Sequence, residues 1–191
     1  MRRLFLIIFP LLMPGVLPHA ATPALNLYEV EAIVFINQLP DMEGDELWRI
    51  EQTKLENGDI AEAVVLGEKP PAESLLSPAA LALEQSGRHR VLAHLRWQQN
   101  AEVKSSSKPV KIDNPAEGLD GALRFYSSRY LLMDINLILR EPARTGLFGV
   151  AGGDTRIYRL NEFRRIKLRE THYFDHPKFG VLVRVTPVKE N

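Results

Sequence analysis

The 191-residue sequence contains no cysteine. That absence excludes disulfides, thiolate metal sites, a thiol nucleophile and a lipidated N-terminal cysteine. Hydrolase signatures are missing too: there is no G-x-S-x-G and no H-E-x-x-H, so a Ser–His–Asp arrangement would have to be assembled from unmarked serines. No apolar run reaches the roughly 20 residues that cross a bilayer as a helix. Net charge is absent as well, with 24 Lys and Arg against 24 Asp and Glu.

The strongest apolar stretch opens the chain. Arg2 and Arg3 precede an apolar run from Leu4 to about Val16, followed by small residues at Ala20, Ala21 and Ala24. A charged start, a short apolar core broken by Pro10 and Pro14, and a small-residue exit describe a cleavable export signal, expected over residues 1–21. About 170 residues then remain, expected to form one domain over 22–191 with a core of its own. With export and no lipid anchor, the expected location is the periplasm, with no membrane insertion after signal removal. Nucleic acid is scarce there, so it is not an expected partner.

The zero net charge hides an asymmetry. Residues 24–86 carry 13 Asp and Glu against 3 Lys and Arg, whereas 87–191 carry 19 Lys and Arg against 11 Asp and Glu. Such segregation either pairs internally or presents a basic surface to an anionic partner.

Period-two patterning is the main structural signal. LNLYEVEAIVFI (25–36) alternates with Tyr28, Val30, Ala32, Val34 and Ile36 on one face and Glu29, Glu31, Ile33 and Phe35 on the other. A long irregular acidic connection follows at about 37–76, with a short helix expected in DELWRIEQ (45–52). Ser77-Pro78 opens a helix, with Ser77 as its expected cap and Gly87 as its terminator. In HRVLAHLRWQQ (89–99), Val91, Ala93, Leu95 and Trp97 share one strand face, and Leu92, His94, Arg96 and Gln98 the other. PVKI is a short strand, LDGALRFYSSRYLLMDINLILRE a hairpin turning at SSR, residues 143–155 a glycine-rich loop, and GVLVRVT the last strand. The expected fold is therefore α+β: a mainly antiparallel sheet of six or seven strands with one main helix. Were Glu29 and Glu31 to neighbour Arg165, Lys167 and Arg169, each cross-strand pair would contribute roughly 0.2–1 kcal/mol.

RRIKLRETHYFDHPKFGVLVRV (164–185) concentrates the chemistry. Glu170, His172, Asp175 and His176 have ligand chemistry, but a metal site needs side chains converging from a rigid scaffold, and no familiar ligand spacing is present. No metal and no cofactor are expected. Asp, Pro and Gly180 in DHPKFG are turn residues between strands. Glu170, His172 and Asp175 are expected to form a polar network that fixes this hairpin. Tyr173, Phe174, His176, Lys178 and Phe179 cluster at the hairpin end near Arg165, Lys167 and Arg169, a combination suited to sugar faces and anionic groups. Trp48 and Trp97 are further aromatic platforms, although Trp97, facing Val91, Ala93 and Leu95, fits a core.

The YEVEAIVF strand followed by ELWR, the RVLAHLRWQQ strand, the LDGALRFYSSRYLLMDINL hairpin and above all E-x-H-Y-F-D-H-P-x-F-G resemble the CsiV family of periplasmic proteins. The resemblance spans nearly the whole chain after the signal. It implies a peptidoglycan-binding accessory factor, not an enzyme, that supports wall synthesis and cell shape. Its implied partners are a lipoprotein activator and the bifunctional class A penicillin-binding protein that this activator switches on. No residue role comes with the resemblance. The ligand-binding candidates, Arg165, Lys167, Arg169, Tyr173, Phe174, His176 and Lys178, rest on chemistry and position. The alternatives are a protein-binding adaptor docking through the acidic connection at 40–75, and a wall hydrolase or metal-dependent enzyme.

Overall fold

The computed structural model describes residues 27–39, 63–65, 74–141 and 155–188. The export signal, Trp48, the helix expected at 45–52, most of the acidic connection and all but Thr155 of the glycine-rich loop lie outside them. In chain order the elements are β1 (Leu27–Asn37), β2 (Val64–Val65), α1 (Ser77–Gln85), β3 (His89–Asn100), β4 (Val110–Lys111), a 3-10 turn (Pro115–Glu117), β5 (Leu119–Ser127), β6 (Leu131–Glu141), β7 (Arg156–Arg165), β8 (Thr171–Asp175) and β9 (Phe179–Pro187).

The strands form two sheets, ordered β3-β1-β9-β8 and β2-β4-β5-β6-β7. All pairings are antiparallel except the short β2–β4 contact. The α+β class and the antiparallel character match the sequence reading, but the single sheet of six or seven strands is corrected to two sheets of four and five. Alternation marks which face of a strand is buried and carries no information about which sheet the strand joins.

The inner faces of the two sheets meet in one apolar cluster. Val30, Ala32 and Val34 of β1 and Val181, Val183 and Val185 of β9 pack with Leu123, Phe125, Met133, Ile135, Leu137 and Leu139 of β5 and β6, all 0 % exposed. A smaller cluster of Ile33, Phe35 and Leu76, joined by Ala80 and Leu83, places α1 on the outer face of the first sheet. The layers are therefore helix, sheet, sheet.

A bulge corrects the face assignment in β3. Val34 pairs with Ala93 and Phe35 with Val91, so Leu92 is the extra residue. Leu92 enters the main core while Val91 joins the cluster under α1, the reverse of their expected partition. The Val91 N–H donates to the Glu84 carboxylate on α1 at 2.9 Å.

The expected charge ladder is also corrected. Glu29 and Glu31 lie between β3 and β9, where Arg96 and Arg184 flank Glu31 in register, and Glu29 pairs with Arg96 at 2.5 Å. Arg165 ends β7 in the other sheet, and Lys167 and Arg169 lie in the turn beyond it, Arg169 at φ 64°. β7 stops there because Ile166, 3 % exposed, turns into the core and the chain crosses to the first sheet.

Glu31 does something alternation did not suggest. Its carboxylate, 3 % exposed, accepts the Leu75 and Leu76 N–H groups at 3.0 and 3.3 Å and the Ser74 hydroxyl, and meets His94 Nε2 at 2.7 Å. The Ser74, Leu75 and Leu76 donors lie just ahead of α1, so Glu31 from β1, with the Ser74 hydroxyl accepting Leu76 N–H at 3.1 Å, anchors the entry to the helix; the N-cap is Leu76 rather than the expected Ser77, and it makes no side-chain cap hydrogen bond. Gly87, at φ 63°, ends the helix as expected. Burial pushes the Glu31 carboxyl up, but hydrogen bonds from His94 and Ser74, the His94 charge and the Leu76 amide outweigh it and leave the pKa below 4.5. A depressed folded-state pKa gives a contribution complete above the unfolded value and lost as pH falls through the folded one. Glu31→Gln should therefore cost about 1.5–3 kcal/mol near neutral pH. In urea titrations it should also flatten the decline of stability below pH 4.5 relative to the parent.

Candidate functional site

β8 and β9 form the hairpin expected from DHPKFG. His176 N–H donates to Phe179 O at 3.1 Å and Phe179 N–H to His176 O at 3.2 Å, leaving Pro177-Lys178 as a two-residue loop. The end of β1 docks on it: Asn37 N–H donates to Lys178 O at 2.9 Å, and the Asn37 amide reaches Pro177 O at 3.4 Å.

Strand parity divides the hairpin's side chains. Phe174 is fully buried in the core, and His176 and Lys178 are each 9 % exposed. His176 packs against Tyr158 and Phe179 and accepts Lys178 N–H on Nδ1 at 3.1 Å, and burial lowers its pKa against an opposing pull from Asp175. Lys178 Nζ lies 2.7 Å from the Glu141 carboxylate at the end of β6. These three residues fasten the hairpin to the core and to the second sheet, and His176 among them also lines the cleft beside it.

Tyr173 and Asp175 face outward. The Tyr173 hydroxyl donates to Asp175 Oδ1 at 2.5 Å, and burial together with that carboxylate pushes the phenol pKa up. The Tyr173 ring lies nearly parallel to Phe35 of β1, with centroids 6.0 Å apart and 18° between planes. His89 of β3 meets Phe35 edge-on at 5.3 Å. Phe35, Asn37, His89, Tyr173 and Asp175, with the turn residues His176 and Pro177, line an open cleft of about 220 Å³.

The cationic candidates lie outside this cleft, at the β7–β8 corner. Arg165 stacks on Tyr130 at 3.9 Å from the ring centroid, Lys167 lies 3.6 Å from Glu170, and Arg169 donates its N–H to Val185 O at 2.8 Å. The expected Glu170–His172–Asp175 network is not one network. Glu170 faces Lys167, His172 Nε2 contacts the Lys167 backbone at 3.0 and 3.1 Å, and Asp175 is bound by Tyr173. The reason is again parity: His172 and Asp175 project to opposite faces of β8.

Phe35, Asn37 and His89 escaped the sequence reading because they lie far from the hairpin in the chain. The one signal was Phe35 itself, an aromatic on the β1 face that also carries Glu29 and Glu31. Trp97, 7 % exposed, sits in the core.

A serine–histidine–carboxylate grouping does exist in Ser74, His94 and Glu31, but its geometry is wrong for a relay. His94 Nε2 meets both the Glu31 carboxylate at 2.7 Å and the Ser74 hydroxyl at 3.2 Å, and Ser74 donates to the same carboxylate. Nucleophile activation requires serine and carboxylate on opposite ring nitrogens. Among the described residues, no three His, Asp or Glu side chains are placed to hold a metal ion.

Residues 66–188 match the family described as "Peptidoglycan-binding protein, CsiV". The chain belongs to the CsiV family. No curated protein and no solved structure matches it. In this CsiV-family chain the matched span begins after β1, yet β1 supplies Phe35 and Asn37 to the cleft and runs between β3 and β9.

Gly180, a turn-ending residue by sequence, acquires a second role. A Cβ there would sit 2.7 Å from the Tyr173 ring and 2.8 Å from that of Phe35. Both contacts are with ring edges, which can swing away, so Gly180→Ala should fold with a loss of about 1–3 kcal/mol while separating the two rings. Aromatic NMR shifts of Tyr173 and Phe35 should move, with the backbone spectrum largely unchanged.

Proposed function

We propose that this chain is a non-enzymatic periplasmic factor that binds peptidoglycan and supports wall synthesis and cell shape. It acts with a lipoprotein activator and the class A penicillin-binding protein that the activator switches on. The observation that carries the binding reading is the cleft: an exposed tyrosine face backed by Phe35, with Asp175 and Asn37 at hydrogen-bonding positions, in a member of a peptidoglycan-binding family. The Arg165, Lys167 and Arg169 corner lies on the neighbouring β7–β8 turn and suits the polymer's carboxylates. The absence of catalysis is supported by the Ser74–His94–Glu31 geometry, which holds a helix in place.

A second reading, a protein-binding adaptor, draws on a different surface. Phe163 on β7 is 73 % exposed, and Tyr130, 42 % exposed, lies under Arg165 of the same strand. The acidic connection first considered for that role lies mostly outside the described residues.

Co-sedimentation of the purified protein with insoluble sacculi tests the binding reading. The parent should pellet with sacculi. Tyr173→Ala should weaken retention about tenfold, as expected for the loss of one aromatic contact of roughly 1–1.5 kcal/mol. Reversal of Arg165, Lys167 and Arg169 to Glu should weaken it further and remove its salt sensitivity. Retention of both variants at the parent level would overturn the assignment of this surface, and release of soluble muropeptides would point to an enzyme.

A further inference from the structure

Resting on that reading, we infer that the cleft takes the uncharged sugar backbone of the polymer, one N-acetylhexosamine ring at a time, and that the peptide carboxylates bind elsewhere. The first argument is charge. Among the described residues, no lysine or arginine lines the cleft, and its only carboxylate is Asp175. Two cations on the hairpin side are engaged elsewhere: Lys178 with Glu141 at 2.7 Å, and Arg164 with the Tyr173 carbonyl at 2.8 Å and with Glu162. A peptide carboxylate entering here would meet Asp175 with no lysine or arginine among the described lining residues to offset the repulsion.

The second argument is the inventory of unused hydrogen-bonding groups. Asp175 gives Oδ1 to the Tyr173 hydroxyl and keeps Oδ2 as an acceptor. Asn37 donates one amide N–H to Pro177 O and accepts Leu39 N–H on its carbonyl oxygen, keeping its second N–H as a donor. An acceptor and a donor beside a flat aromatic plane match a ring that presents hydroxyl donors, an acetamido carbonyl and an apolar C–H face. The third is size. At about 220 Å³ the cleft lies below the roughly 300–1,000 Å³ that encloses a drug-sized ligand, and it suits a single ring of a longer chain passing over an open surface.

The test titrates the full protein with an uncharged β-1,4-linked N-acetylglucosamine tetramer and, separately, with free stem peptide, following amide and aromatic NMR shifts, with sacculus pelleting in parallel. The tetramer should shift Asn37, Tyr173 and Asp175 signals with little dependence on salt, and the peptide should leave them unmoved. Asp175→Ala and Tyr173→Ala should each weaken tetramer binding about five- to tenfold, the scale of one lost hydrogen bond or ring contact. Asp175→Asn, which keeps an acceptor, should retain most of it. Peptide-induced shifts at the cleft, or no response to the tetramer, overturn the inference, and sacculus pelleting that persists in that case leaves polymer binding itself standing. Loss of pelleting in the parent protein overturns both.

Discussion

The Glu31 carboxylate is the point on which the outer face of the first sheet depends. It is almost fully enclosed, and it meets a hydroxyl, an imidazole and two backbone N–H groups just ahead of α1. A carboxylate taken out of water tolerates that position only when its lone pairs are filled, and here they are. The helix held this way covers Ile33 and packs beside Phe35, and its Glu84 returns to the β3 bulge. Toward β8 the sheet face opens, and the remaining surface of Phe35 is met by Tyr173. The position of the cleft thus follows from where the helix is pinned.

The hairpin beside it is held from within. Its inward residues, Phe174, His176 and Lys178, reach the shared core, Tyr158 and Glu141, so the loop is tied to both sheets. The outward residues, Tyr173 and Asp175, bond to each other and rest on Phe35. A ligand meeting these groups finds them already ordered, which reduces the entropy lost on binding. Gly180 contributes by having no side chain where two aromatic rings converge.

The sequence made the strands legible where polar and apolar residues alternate: β1, the β5–β6 hairpin and the β8–β9 hairpin. The sheet to which each strand belongs was not legible, because inward-facing valines look alike whatever lies opposite. Three local features escaped for the same kind of reason. The extra residue at Leu92 inverts the parity of a short stretch, and nothing in its composition announces it. Glu31 reads as a solvated strand charge until the residues before α1 are brought against it. Lys178 reads as a surface cation until Glu141 and Tyr158 are seen beside it. Of the ligand-binding candidates, Tyr173 and His176 line the cleft, joined by Asp175, which was expected only in a structural network. Phe35, Asn37 and His89 come from β1 and β3, which only the fold brings near.

β1 is the first strand described, β9 the last, and they are hydrogen-bonded neighbours, with Val188 N–H donating to Leu27 O at 2.9 Å beyond the ladder. The first sheet therefore closes on a contact between strands far apart in the sequence, Tyr28 pairing with Pro187. Pairing across such a sequence separation forms slowly, because the entropy of a very long loop is lost before any contact stabilises it. Until β9 arrives, one full edge of β1 offers unpaired backbone groups beside a row of valines and isoleucines, an arrangement prone to intermolecular pairing. Everything from β1 to β9 must be present before the first sheet can close, so the two halves of the cleft, Phe35 and Tyr173, come together as a late event in folding.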